Sequence, residues 1–186
     1  LPDQRMIGES KRMHPRFRPG TTSEERHMIP DQQFTQETMD LTPVLYRLSM
    51  SILRHEADCR DAVQQALMKA WAARDRVDPE RFRPYLTRIV VNECRNIQRQ
   101  RQRVYPVAEM PEIGAAWQPE ETELGAAIRM LPESLRTPVL LFYMENYSEK
   151  ETARALGITV TALKNRLFRA RRALKQRLTD WEVAPT

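Results

Sequence analysis

An all-α fold, two small helical domains joined by a flexible acidic linker, follows from three observations on this 186-residue chain. Apolar residues recur every three or four positions through residues 41–103 and again through 123–181, and no stretch alternates with period two. Between them, residues 104–122 hold Pro106, Pro111 and Pro119 with four acids and no base. Proline cannot continue a helix interior, so this stretch reads as an extended connector and as the domain boundary. Glycine occurs only five times, too rarely for a hairpin-rich β fold.

Residues 1–35 show no periodicity and few large apolar side chains, so residues 1–39 are expected to form a disordered extension ahead of a first domain over 40–103. In that domain Thr42-Pro43 reads as an N-cap with proline in the first helical position. Leu45, Leu48 and Ile52 follow at helical spacing. A second helix, about Asp58 to Arg74, carries the stripe Ala62, Val63, Ala66, Leu67, Ala70 and Trp71. Asp78-Pro79 marks a turn, and a third helix from Phe82–Pro84 turns Leu86, Ile89, Val90 and Ile97 inward. The second domain, 123–181, opens with Leu124, Ile128 and Leu131 and is broken at Pro132, and Thr137-Pro138 is expected to cap the next helix. Ser148 and Glu151 then form a capping box, Gly157 ends that short helix, and Thr159 or Thr161 caps a long last helix with Leu163, Leu167, Ala170, Leu174 and Leu178 on one stripe.

The formal net charge of +5 conceals an uneven distribution. Residues 41–103 carry 13 basic and 7 acidic side chains, and residues 123–186 carry 11 and 7. Two basic blocks flank an acidic connector, a pattern suited to a polyanionic partner, most often nucleic acid. No apolar run approaches the ~20 residues of a membrane span, and no basic-then-apolar leader opens the chain, so no membrane insertion and a cytoplasmic location are expected. Cys59 and Cys94 cannot build a disulfide framework and read as core thiols. Three scattered histidines offer no metal cluster. Nucleophile–base pairs, paired carboxylates and phosphate-binding glycine loops are missing, which argues against an enzyme and against any cofactor or metal.

The sharpest motif is residues 148–172: a short capped helix, a glycine turn and a longer basic helix, the pattern of a helix-turn-helix. The second helix of such a unit presents its N-terminal part to the major groove, here Thr161, Ala162, Lys164, Asn165, Phe168 and Arg169. Lysine and arginine can donate to guanine, and asparagine can pair with adenine. From Lys164 to Arg177 there are seven bases and no acid, which makes phosphate neutralisation strong and salt-sensitive. On the third helix of the first block, Tyr85, Arg88, Asn92, Arg95, Asn96 and Arg99 recur at spacings of three and four. Tyrosine stacking, asparagine hydrogen bonding and arginine–phosphate contacts together suit opened DNA.

These stretches resemble the extracytoplasmic-function (ECF) sigma factors of bacterial RNA polymerase, the fourth group of the sigma-70 family. Leu131-Pro132-Glu133-Ser134-Leu135-Arg136, Tyr147-Ser148-Glu149-Lys150-Glu151-Thr152-Ala153 and Val160 to Leu174 are similar to the family's fourth region. Asp61-Ala62-Val63-Gln64-Gln65-Ala66 to Trp71 and Phe82 to Asn92 are similar to its second region. The sequence departs from the family at Cys59-Arg60 (usually Ala-Glu), Tyr85 (usually Trp), Thr152 (usually Ile) and Thr161 (usually Gly). The resemblance implies a sigma factor that binds core polymerase and directs initiation at −10 and −35 elements. Core polymerase would be met at the largest-subunit clamp helices and the flap, the former through Asp61, Gln64, Gln65, Leu67 and Trp71. Tyr85, Arg88, Asn92, Arg95, Asn96 and Arg99 would hold the opened −10 strand. Thr161, Ala162, Lys164, Asn165, Phe168 and Arg169 would meet the −35 duplex, with Arg166 and Arg171 on its phosphates. The acidic linker would thread the basic channels of the polymerase, and an anti-sigma factor would be a further partner. A stand-alone helix-turn-helix regulator shares residues 148–172 but leaves 58–103 unexplained.

Overall fold

A computed structural model describes residues 29–104 and 122–182, in two helical units. The expected extension over residues 1–28 and the linker body, 105–121, lie outside the described residues. The first unit packs α1 (Asp31–Leu53), α2 (Glu56–Ala72) and α3 (Phe82–Val104) into a bundle in which each helix meets both others. Its core joins Leu41, Leu45, Leu48 and Ile52 of α1 to Ala62, Val63, Ala66 and Ala70 of α2 and to Phe82, Leu86, Val90 and Val91 of α3. Two 3₁₀ turns, Arg74–Arg76 and Pro79–Arg81, link α2 to α3. Asp78 caps the second, accepting from the Glu80 N–H at 3.0 Å, with Pro79 next to it as expected.

The first helix begins eleven residues before the expected cap. Residues 31–39, assigned to the extension, are helical, and Pro43 lies inside α1. Phe34 is the reason. Its ring is buried and meets Trp71 at 5.0 Å and Phe82 at 5.2 Å, edge to face. Burying an aromatic or leucine side chain gains about 1.5–3 kcal/mol. Phe34 and Leu41 together, at about 3–6 kcal/mol, therefore match or exceed the roughly 3 kcal/mol cost of an interior proline. Thr42 is no cap, because its hydroxyl donates back to the Thr38 carbonyl at 2.6 Å.

The second unit comprises α4 (Glu123–Arg129), α5 (Glu133–Val139), a π turn over Leu140–Met144, α6 (Glu149–Leu156) and α7 (Val160–Glu182). Thr137-Pro138 is not a cap either, because it sits within α5, which starts after Pro132. Pro138 has no N–H to offer the preceding turn. Downstream the ladder widens, and the Glu145 N–H bonds the Leu140 carbonyl five residues back. Cys59 and Cys94 are buried in the first unit, and both thiols are pushed up to about 12, chiefly by burial. Among the described residues no helix is long and apolar enough to cross a membrane, and no group of acidic, histidine and cysteine side chains could hold a metal.

The two units pack on each other, α3 against α6 and α1 against α5. Arg47 donates through Nε and Nη2 to both carboxylate oxygens of Glu145, at 2.9 and 2.8 Å. Tyr147, 2 % exposed, lies under the Arg83 guanidinium at 4.0 Å. The Thr87 hydroxyl donates to the Arg83 carbonyl, so the Tyr147 hydroxyl, 2.7 Å away, donates to Thr87. Arg136, 4 % exposed, reaches the Ser51 carbonyl of α1 as well as the carbonyls of Arg129 and Leu131.

Candidate nucleic-acid interface

The helix-turn-helix is built by short-range bonds. The Ser148 hydroxyl accepts from the Glu151 N–H at 3.2 Å, and the Glu151 carboxylate accepts from the Ser148 N–H at 2.8 Å, closing the capping box at the start of α6. Partial burial pushes the Glu151 carboxyl up, but the two Ser148 bonds, Arg83 and Arg154 outweigh it and hold it below its ordinary value. Gly157 adopts φ 67°, the left-handed region that favours glycine, and the Ile158 N–H bonds the Ala153 carbonyl across the turn. Thr159, rather than Thr161, caps α7, accepting from the Ala162 N–H at 3.1 Å.

Replacing the capping serine tests this frame. Ser148→Ala is expected to lower stability by about 1 kcal/mol, read from the thermal midpoint at neutral pH. The folded Glu151 carboxyl titrates lower than the unfolded one. Its contribution is therefore present above the unfolded value and lost as pH falls through the folded one. The Ser148 hydroxyl is one of the groups that hold this carboxyl low, so the deficit of the variant should narrow in acid; a deficit independent of pH would show that only the hydroxyl bond to the Glu151 N–H is lost.

Leu163, Leu167 and Ala170 anchor α7 in the core, which leaves Thr161, Lys164, Asn165, Phe168 and Arg169 on one outward face, with Ala162 half-buried at its edge. Phe168 is 60 % exposed, an apolar surface that could meet a thymine methyl. Lys164 holds Glu149 of α6 at 3.2 Å, and Arg171 donates to the Tyr143 hydroxyl at 3.1 Å. Arg166 departs from this face. It is half-buried and lines a cleft with Arg95, Glu133, Ser134, Thr137, Pro138 and Leu156.

The α3 residues likewise divide. Arg88 and Asn92 are exposed, while Tyr85 and Arg95 are half-buried. The Arg88 guanidinium lies beside Gly157, and Arg95 enters the cleft with Arg166. Asn96 and Arg99 face another way, into a polar groove of about 850 Å³ between α2 and α3, with Asp58, Asp61, Gln65 and Lys69. Arg99 donates to the Asn96 side-chain oxygen, Lys69 pairs with Glu93 at 2.7 Å, and Arg101 pairs with Asp58 at 2.6 Å. Residues expected on DNA and residues expected on polymerase thus share this groove. Gln64 is exposed, Leu67 is half-buried, and Trp71 is 40 % exposed with the Arg74 guanidinium 3.9 Å from its ring centre. Sequence reasoning passed over Arg47, Arg83, Arg136, Glu145 and Tyr147, which join the units. Each pairs with residues far along the chain, so no local spacing signals it.

Profiles of two families match the chain: Sigma-70 region 2 over residues 39–104 and Sigma-70, region 4 over residues 121–174. The ECF RNA polymerase sigma factor SigM of Mycobacterium tuberculosis is 33 % identical over 141 residues, covering 72 % of this chain and 71 % of that one. The RNA polymerase sigma factor SigV of Bacillus subtilis is 26 % identical over 144 residues, 75 % of this chain and 87 % of that one. Among solved structures, the sigma factor RpoE of Bartonella quintana in complex with the anti-sigma factor NepR superposes with a TM-score of 0.64 at 26 % identity, over 80 % of this chain and 98 % of that one. CnrH in complex with the cytosolic domain of CnrY superposes with a TM-score of 0.58 at 26 % identity, over 81 % and 90 %. Both regions occur in the family's order on the two helical units, and the chain belongs to the ECF sigma factors, non-enzymatic subunits that give RNA polymerase its promoter-specific initiation.

Proposed function

We propose that the two basic helices divide promoter recognition, α3 taking the opened −10 strand and α7 the −35 duplex. The observation that supports this reading most is that each matched region carries its own outward basic helix. On α7, Lys164, Asn165, Phe168 and Arg169 meet base edges, Thr161 and Ala162 border them, and Arg166 and Arg171 hold phosphates. On α3, Tyr85, Arg88, Asn92 and Arg95 hold the strand. Asn96 and Arg99 lie where that strand would reach the α2 groove. There Asp61 and Gln65, with Gln64, Leu67 and Trp71 along α2, dock on the clamp helices of core polymerase, and the C-terminal unit docks on the flap. The first domain takes in α1 from Asp31 and runs to residue 103, the second runs 123–181, and the acidic stretch between them, 104–122, threads the polymerase. The solved relatives above are bound by an anti-sigma factor or a partner's cytosolic domain, and we extend an anti-sigma partner and a cytoplasmic location to this chain.

Run-off transcription with core polymerase on a promoter library tests the reading. Initiation should depend on the added chain. Asn92→Ala should lower output about tenfold on promoters that need a −10 element, the loss expected for one base-reading contact of about 1–3 kcal/mol. Asp61→Ala should instead weaken core binding at every promoter. Unchanged promoter choice and output with Asn92→Ala would move the −10 site away from α3.

A further inference from the structure

We propose that the cleft walled by α3, α5 and α7 is a binding site for a small ligand carrying a diphosphate group, held by Arg95, Arg166 and the Thr137 hydroxyl. The cleft measures about 390 Å³, within the roughly 300–1,000 Å³ of small-molecule sites. Arg95 comes from α3, Arg166 from α7, and Glu133, Ser134 and Thr137 from α5. The site stands whichever DNA element each basic helix reads.

The first support is two cations without a counter-charge. Arg47, Arg74 and Arg101 are half-buried, and each holds a carboxylate: Glu145, Asp31 and Asp58. Arg95 and Arg166 are half-buried too, yet among the described residues neither forms an ion pair. Removing a cation from water is costly when nothing opposite meets it, and two in one cleft also repel. The carboxylate in the cleft, Glu133, accepts instead from the Gln98 side-chain amide at 3.1 Å. An anion between the arginines relieves both costs. A guanidinium fork matches a pair of phosphoryl oxygens, and two forks on separate helices suit two linked phosphoryl groups better than one.

The second support is Thr137. It is 3 % exposed, lines the cleft, and its hydroxyl has no hydrogen-bond partner among the described residues. The other buried helical threonines, Thr38, Thr87 and Thr152, donate back to the carbonyl four residues earlier, at 2.7, 2.9 and 2.9 Å. Thr137 does not. A buried hydroxyl left without a partner is unfavourable, and a phosphoryl oxygen in the cleft supplies the missing acceptor. Ser134, exposed in the same cleft, offers a second hydroxyl.

Titration calorimetry of the full chain with pyrophosphate, in magnesium-free buffer at fixed ionic strength, tests the site. Saturable binding of one pyrophosphate per chain is expected, with sulfate far weaker. Arg95→Gln and Arg166→Gln should each weaken it about tenfold or more, the loss of one charge-assisted contact. Arg172→Gln removes the same charge from an exposed position of α7 outside the cleft and should leave the affinity unchanged. Thr137→Val exchanges the hydroxyl for a methyl of similar shape. It should weaken binding about fivefold while the ligand-free thermal midpoint stays constant or rises. Adenosine diphosphate, titrated separately, identifies the carrier: tighter binding than pyrophosphate points to a nucleoside diphosphate, weaker binding to free diphosphate, and either supports the site. Absence of saturable binding, equal affinity for sulfate, or a loss with Arg172→Gln as large as with Arg166→Gln would each overturn the proposal. So would a Thr137→Val chain that is less stable and binds pyrophosphate undiminished.

Discussion

Lys164→Ala is expected to cut initiation from promoters that carry a −35 element by about tenfold, a loss of ~1–2 kcal/mol for one major-groove contact. Two effects combine. The variant removes a donor at the N-terminal end of the outward face of α7, and it leaves Glu149, its partner at 3.2 Å, as an unneutralised carboxylate facing DNA phosphates. The pair is exposed, 60 % for the lysine and 40 % for the glutamate, so it adds little to folding. Stability should therefore stay nearly constant while promoter output falls. Glu149→Gln provides the opposite sign, since it frees Lys164 and removes a negative charge. It should raise −35-dependent output and weaken its salt sensitivity little, because the number of bases on DNA is unchanged. Run-off transcription on matched promoters with and without a −35 element reads both. Equal losses on the two templates would show that Lys164 does not contact the −35 element.

Arg136→Ala is expected to give the largest loss of stability among surface-distant charged residues, about 3 kcal/mol. Its guanidinium donates to the carbonyls of Arg129 and Leu131, at 2.9 and 3.0 Å, and to Ser51 across the units at 2.5 Å. The Arg129 carbonyl ends α4 and the Leu131 carbonyl lies in the turn after it, where no helical N–H remains to serve them. Burial, then the nearby charge of Arg54, pulls this guanidinium below its ordinary value. Even so an arginine stays charged at neutral pH. Truncation leaves three carbonyls without their donor and opens a cavity in a 4 % exposed position. A fall of roughly 6–12 °C in the thermal midpoint should follow, at 2–4 °C per kcal/mol for a chain of this size. Arg136→Lys should recover only part of it, because one ammonium cannot span three carbonyls set around a planar fork. A shift below 2 °C for Arg136→Ala, the size expected of a change under 1 kcal/mol, would contradict the role given to this residue.

The parts of the fold that were legible in the amino-acid sequence are those whose cause is local. Ser148 and Glu151 are three residues apart, and the reciprocal bonds between them close one turn. Gly157 ends α6 because its φ is one that other residues adopt only under strain. The same holds for the inward stripe of Leu163, Leu167 and Ala170, and for the outward one of Lys164, Asn165, Phe168 and Arg169, which alternate on a single helix. The misread elements are the two prolines. Pro43 and Pro138 signal a helix start by local rules, yet both sit inside helices. At Pro43 the burial of Phe34 against α2 and α3 outweighs the lost backbone bond. At Pro138 buried neighbours, Leu135, Thr137 and Val139, hold the chain helical and the distortion passes into the π turn.

The charge on α3 shows the same division. Spacings of three and four put Tyr85, Arg88, Asn92, Arg95, Asn96 and Arg99 near one another on a helix, and that much is periodicity. Which neighbour each side chain meets depends on what packs beside α3. Arg88 and Arg95 turn to the C-terminal unit, Asn96 and Arg99 to the groove of α2. Arg47 and Glu145 are 98 positions apart, and Thr87 and Tyr147 are 60. Helix type, the Ser148 and Gly157 caps, basic faces and family were readable in residue order, because each rests on interactions within a few positions or on whole motifs. The seam between the units, and with it the accessibility of Arg95 and Arg166, was set by packing across the chain, because a contact between distant residues leaves no period in the sequence.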